Sequence, residues 1–182
     1  MGTWNGHGLR GSTLEELINR TNEIYGERKL ALIQKIPTPI TPVQLDSGTG
    51  RITLAYFDQQ STVDYIGAVQ GVPVCFDAKE CAKDTFPLAN VHEHQVEFMR
   101  AFEEQGGVAF LIISYTQKRE MYYLPFRNLS WFWDRMKDGG RKSFTFEELD
   151  KTWKIESKGA IFVHYLEPLA RDLESRDDTE EL

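Results

Sequence analysis

The chain has 182 residues, 41% of them hydrophobic and 12% aromatic, with a formal net charge of −7. That length suits a single domain, 1–182, able to bury a substantial core, and the composition excludes a disordered chain. No apolar run approaches the roughly 18 residues of a membrane span, and the N-terminus MGTWNGHGLRGS is too polar for a signal peptide, so no membrane partner and a cytoplasmic location are expected. Taken at face value, the negative charge argues against a nucleic-acid binder. Its distribution weakens that objection: the acidic tail, about residues 171–182, sets six carboxylates against Arg171 and Arg176. This tail reads as a solvated or frayed helix end. Cys75 and Cys81 match no metal spacing and read as reduced thiols.

In chain order, Thr13-Leu14-Glu15-Glu16 predicts a capping box opening a helix, with Leu14, Leu17, Ile18, Thr21, Ile24 and Tyr25 on one face. Residues 29–36 read as a strand. Pro37, Pro39 and Pro42 then forbid regular pairing in a central sheet, and two extended arms follow around the turn Asp46–Gly50. Residues 37–57 therefore read as a projecting insertion. Strands over 61–69 and 72–80 meet at Gln70-Gly71, and a helix over 88–105 stops at Gly106-Gly107. Val108–Tyr115 is a continuous apolar run, expected as a buried strand, and 120–124 hairpins back. A short aromatic helix carries Leu129, Trp131, Phe132 and Trp133. The loop 137–142 follows, then a second capping box at Thr145-Phe146-Glu147-Glu148, and 160–166 reads as a last strand. This order predicts an α/β domain with a mixed sheet.

The hairpin register carries the chemistry. With Gln70 and Gly71 as the two loop residues, Val69 faces Val72. Counting outward sets Asp64 opposite Asp77 and Thr62 opposite Lys79. One face then holds Val63, Tyr65, Val72, Val74, Phe76 and Ala78, suited to a core, and the other presents Asp64, Asp77 and Lys79. Like charges opposed in a sheet destabilise it, and a bound divalent cation is the usual remedy. Such hard oxygen donors suit Mg²⁺ or Mn²⁺ rather than zinc. A lysine two residues from a metal-binding carboxylate can position water and stabilise charge on a phosphate. Spacing alone equally admits a surface ion-pair cluster.

Two helices offer neighbours to this face. Gln95 sits near the buried stripe Leu88, Val91, Phe98, Met99 and Phe102, where a glutamine needs partners. It could supply an oxygen, orient a water, or bond to backbone. Glu15 lies closer to the apolar stripe than Glu16, so it could reach the site; a solvated first-turn carboxylate is the commoner case. His92-Glu93-His94 is no zinc motif, because i and i+2 do not share a helix face. Trp131 and Trp133 read as core packing before base stacking.

Seven motifs occur in order: Gly11-Ser12-Thr13-Leu14-Glu15, Lys35-Ile36-Pro37-Thr38-Pro39, Ser61-Thr62-Val63-Asp64-Tyr65, Phe76-Asp77-Ala78-Lys79-Glu80, Phe86-Pro87-Leu88, His92-Glu93-His94-Gln95 and Gly139-Gly140-Arg141-Lys142-Ser143. Over most of residues 10–166 they resemble the RecU family of Holliday-junction resolvases, within the PD-(D/E)xK nucleases. The resemblance implies a restriction-endonuclease-like fold, a mixed central sheet flanked by helices. It also implies a homodimer, and a stalk formed by the insertion at about 37–57 that enters the centre of a four-way DNA junction. It implies a Mg²⁺-dependent endonuclease, with Mn²⁺ as a substitute, that resolves junctions by paired symmetric nicks in recombination and repair. Asp64, Asp77, Gln95 and Thr62 (through its carbonyl) resemble the Mg²⁺ ligands, Lys79 the residue stabilising the transition state, and Glu15 a helix-borne acid. The family often carries Glu where this chain has Asp77, one methylene shorter, so the metal is expected nearer the strand, or Glu80 assists. Arg141 and Lys142 read as a basic loop on DNA phosphates, and Arg10, Lys35, Lys83 and Lys118 as weaker candidates for the same contacts. Two alternatives stand beside this reading: a non-catalytic junction-binding partner of recombination proteins, and a nuclease for another branched DNA.

Overall fold

The structure, a computed structural model, describes residues 13–37, 40–57 and 62–180, with side chains as far as Arg176. Helix α1 (Leu14–Glu27) opens with the expected capping box: Thr13 Oγ1 accepts the Glu16 N–H while Glu16 accepts the Thr13 N–H. The strands are β1 (Ala31–Lys35), β2 (Ile40–Leu45), β3 (Ile52–Phe57), β4 (Tyr65–Val69), β5 (Val72–Cys81), β6 (Thr85–Pro87), β7 (Val108–Tyr115), β8 (Glu120–Pro125), β9 (Ser143–Thr145) and β10 (Lys154–Ile155). The remaining helices are α2 (Glu93–Glu104), between β6 and β7, α3 (Phe126–Lys137), after β8, and α4 (Leu166–Glu180).

Six strands form the main sheet in the order β1-β4-β5-β7-β8-β10. Only β5 and β7 run parallel, joined through α2; the other pairs are antiparallel. The sheet is mixed and flanked by helices, as expected. Both of its faces are buried. Leu14, Leu17, Ile18 and Tyr25 of α1 and Leu169 of α4 pack with Val74, Phe76, Phe110 and Tyr123 on one face. Val96 and Met99 of α2 and Leu129 and Phe132 of α3 pack with Cys75, Leu111 and Ile113 on the other. The two cysteines are buried free thiols. Among the described residues no helix is long and apolar enough to cross a membrane.

The β4–β5 turn explains the register. Gln70 (φ 49) and Gly71 (φ 90) both take positive φ, as a two-residue type I′ turn requires. Gln70 is held there by its side-chain amide, which donates to the Lys29 and Leu30 carbonyls. Gly67 is required for a different reason: a Cβ there would lie 2.0 Å from the Leu32 carbonyl oxygen of β1. The arms β2 and β3 pair only with each other, irregularly around Pro42 and Gln44. Asp46 accepts the Gly48 and Thr49 amides at their tip.

Three expectations are corrected. The helix expected over 88–105 begins only at Glu93. Thr85–Pro87 pairs with β9 and the Leu88 N–H donates to the Lys142 carbonyl, so Leu88 and Val91 enter the core from a 3₁₀ turn. The last strand over 160–166 does not form. Ile161, Val163 and Tyr165 keep the alternating burial of a strand, but side chains of α1 take their polar groups: Val163 N–H donates to Thr21, and the Tyr165 hydroxyl to Asn22. The short β10 occupies the sheet edge instead. The acidic tail is not simply solvated: α4 buries Asp172 completely.

Candidate active site

Asp77 lies in the middle of β5, a central strand, beside Leu111 of β7, and its carboxylate is 0% exposed. Behind it, Phe76 stacks between Tyr65 at 4.7 Å and Phe110 at 4.8 Å, a rigid aromatic row spanning three strands. Burying a charge in such a place demands compensation. Three donors supply it: the Asp64 N–H to Oδ1 at 2.8 Å, Gln95 Nε2 to Oδ2 at 2.9 Å, and Lys79 Nζ at 2.5 Å.

The β4–β5 ladder confirms the register but ends one pair before the acids, at Tyr65–Phe76. Asp64 and Asp77 are joined instead by side-chain contacts to backbone, since Asp64 Oδ2 in turn accepts the Ala78 N–H at 2.9 Å. The expected Thr62–Lys79 pair is not made. Lys79 faces Ile113 of β7, and Thr62 is exposed, outside the ladder. The expected division into one core face and one acidic face is also corrected. Val63 packs with Cys75 and Leu111 in the opposite core from Val74 and Phe76, because the chain leaves the pleat before Tyr65. The acids sit at the end of a face that is otherwise apolar.

Gln95 comes to the site as a donor. His92 is the N-cap of α2, and its N–H donates to Gln95 Oε1 at 3.1 Å, which turns Nε2 toward Asp77. Burial, and then the charge of Asp77, raise the Asp64 carboxyl to about 6. Glu80 does not assist Asp77. It points to the other side of β5, where it accepts the Leu14 N–H at 2.8 Å. Glu15 lies on that side too, half-exposed and ion-paired with Lys35, lining a cavity of about 390 Å³ with Thr13, Leu14, Ala78 and Glu80. Sequence reading missed the two backbone donors, of Asp64 and Ala78, because main-chain groups carry no residue signature.

The donor set fits a hard divalent cation. Two neighbouring carboxylates are answered by one lysine, Lys79 on Asp77, and among the described residues no third Asp, Glu, His or Cys completes a metal cluster. Mg²⁺ is commonly bound this way, by one or two carboxylates, with water and substrate phosphate filling the rest of its shell. For Gln95 to supply an oxygen as well, its amide must turn over and release His92.

The basic loop runs past the N-terminus of α2: Lys137 pairs with Glu93 at 2.5 Å, and Lys142 accepts from Leu88. Arg141 is exposed, 3.9 Å from Glu148. Lys83 follows the exit of β5 and is exposed. Lys118 is engaged with Asp84 at 3.1 Å and lies over the Phe146 ring. Arg10 lies outside the described residues. His92 and His94 stack on each other.

Residues 9–171 match the family described as RecU, Recombination protein U. Among curated proteins, one of Bacillus pumilus is 46% identical over 82% of this chain and 74% of its own length, and one of Oenococcus oeni 41% identical over 91% and 86%. A third, of Geobacillus sp., is 42% identical over 80% and 74%. Each is named Holliday junction resolvase RecU. A solved structure of Hjc, a Holliday junction resolvase of Archaeoglobus fulgidus, overlaps 59% of this chain and 73% of its own at TM-score 0.36 and 10% identity, a likeness too slight to bear on fold or function.

Proposed function

This chain belongs to the RecU family, and from that premise we propose that Asp64, Asp77 and Lys79 form the centre at which it cuts DNA. The protein is a Holliday-junction-resolving endonuclease acting in recombination and repair. Its DNA partner is a branched duplex and its cofactor a divalent metal ion. Mg²⁺ is the proposed ion, with Mn²⁺ able to replace it. The observation that carries the site assignment is the fully buried Asp77 carboxylate, aimed by Gln95 and the Asp64 amide and left beside a second carboxylate.

Asp64 and Asp77 would hold the cation, with the Thr62 carbonyl and a turned Gln95 as further oxygen donors. Bound there, the cation supplies an acidified water and neutralises charge on the scissile phosphate. Lys79, paired with Asp77 at 2.5 Å, would with the cation on that carboxylate be free to stabilise the charge that in-line attack adds to the phosphate. Glu15, across β5 and paired with Lys35, is the proposed helix-borne acid. Arg10, Lys35, Lys83, Arg141 and Lys142 are proposed to hold the DNA backbone.

Each chain carries one such centre, so paired symmetric nicks call for two copies, and a homodimer is part of this reading. The β2–β3 arm is its proposed stalk at the junction centre: Val43, Leu45, Leu54 and Tyr56 are each more than half exposed along it. The proposed location is the cytoplasm. The test incubates labelled four-way junction, fork and linear duplex with wild-type protein, with Mg²⁺ or EDTA. Paired nicks on the junction alone, abolished by EDTA and by Asp64→Ala, are expected. An Asp64→Ala protein that binds junctions and cuts them at the wild-type rate overturns the site.

A further inference from the structure

Glu80 has no part in holding Asp77, yet it stands on the same strand, one residue past Lys79. Alternation along β5 sends its side chain to the α1 side of the sheet. There Oε1 accepts the Leu14 N–H at 2.8 Å. Leu14 is the first residue of α1, and its amide is among the four that a helix leaves without an internal partner. Thr13 and Glu16 satisfy one another in the capping box. The Leu14 amide is instead satisfied 66 positions away in sequence, by the strand that carries the acids.

The contact fixes α1 against the site at one end of a short span. One turn along, the Tyr65 hydroxyl donates to Asn19 Oδ1 at 2.9 Å and to the Glu15 carbonyl at 3.4 Å. Lys35 of β1 pairs with the Glu15 carboxylate. Next to Lys35, Ile36 donates to the Asp64 carbonyl at 2.8 Å. Glu15 is thus tied to Asp64 through β1, and to Asp77 and Lys79 through Glu80.

We propose that Glu80 is a positioning residue for cleavage: by accepting the Leu14 amide it docks the start of α1 on the catalytic strand and fixes Glu15 across that strand from Asp77 and Lys79. This rests on the junction-cleaving reading above. The role needs an acceptor oxygen, not a charge. Glu80→Gln keeps that acceptor, and Glu80→Ala leaves the helix start undocked. Glu80 is exposed, so neither change removes core packing.

The experiment uses the full chain, four-way junction and Mg²⁺, with Glu80→Ala, Glu80→Gln, Glu15→Gln and the Glu15→Gln/Glu80→Ala double variant. Glu80→Ala is expected to lower kcat about 10-fold, the loss a small misplacement causes, with KM for junction and the Mg²⁺ concentration for half activity unchanged. Glu80→Gln is expected within about twofold of wild type. In the Glu15→Gln background, Glu80→Ala should cost little more, because both act through one group. Without metal or DNA, amide hydrogen exchange of residues 14–17 should quicken in Glu80→Ala and stay slow in Glu80→Gln.

Any of four results overturns the proposal: a wild-type kcat in Glu80→Ala, multiplicative losses in the double variant, a raised Mg²⁺ requirement (which would make Glu80 a metal ligand), or unchanged exchange at residues 14–17. Failure of the junction-cleaving reading looks different, since the wild-type protein would then leave junctions intact while the exchange result still decides whether Glu80 docks α1.

Discussion

Asp77 and Asp172 are both 0% exposed, yet their surroundings are opposites. Asp172 receives the Tyr123 hydroxyl at 2.6 Å, Arg127, and Arg176 at 3.0 Å. Arg176 reaches on to Glu103 of α2 at 2.7 Å, and Glu103 also accepts the Ala109 amide. Two arginines answer two carboxylates, and the network is closed. Asp77 has one lysine and a second carboxylate at its shoulder. A buried acid that is fully answered holds helices together; one that is left short of positive charge has room for a cation.

The largest expected effects test this difference by crossing it. Asp77→Asn should lower junction cleavage about 10³-fold or more, the scale of losing several kcal/mol of metal-dependent stabilisation. Its thermal unfolding in EDTA should stay close to wild type, since a like-charge contact is relieved as a lysine contact is lost. Asp172→Asn should do the reverse. It leaves two arginines unanswered, and a loss of about 3 kcal/mol in denaturant unfolding is expected, with cleavage near wild type well below the melting temperature. If both variants lose the same property, the distinction between the two aspartates is void.

Lys79→Met should come next, lowering kcat by about 10²-fold, the loss typical of one electrostatic contact to a transition state, with junction binding in a mobility shift unchanged. A smaller effect sharpens the contrast from the ligand side. Mg²⁺ at about 100 times its dissociation constant should stabilise the wild-type fold by about 2.7 kcal/mol in calorimetry. Asp77→Asn should lose that response and Asp172→Asn retain it.

The smallest is a pH control set apart from both carboxylates. His164 bonds with the Tyr25 hydroxyl at 2.8 Å, and burial first, then Lys158, holds its pKa below the usual value against the pull of Glu167. A depressed folded pKa means the unfolded chain binds the proton first. The stability it contributes is therefore full above pH about 6.5 and is lost as pH falls. The Tm difference between each background and its His164→Gln counterpart should shift slightly against the histidine form from pH 7.5 to 5.5, equally in wild type and in both aspartate variants.

The Gln70-Gly71 turn makes the site legible in the sequence. A two-residue loop fixes register, and register put Asp64 near Asp77. The capping boxes at Thr13 and Thr145, the apolar run of β7 and the Gly106-Gly107 stop were legible for the same reason, since each is a local arrangement of residues with one favoured geometry. Asp172 was misread because α4 looks acidic throughout. Only its spacing with Leu169, Leu173 and Arg176 along one helix face hinted at burial. The strand expected over 160–166 failed because alternation specifies a buried face, not a partner, and α1 supplied the partners.

By itself, then, the sequence determined the strand pair, its turn, the acids and lysine at its end, and the family to which those motifs belong. Such features rest on neighbours along the chain. Tertiary structure alone decided that the Asp64 and Ala78 amides aim the carboxylates, that Gln95 arrives as a donor because His92 holds its oxygen, and that Glu80 serves α1. Each of those depends on a hydrogen-bond donor or acceptor brought from another element, and which groups meet there is settled by packing.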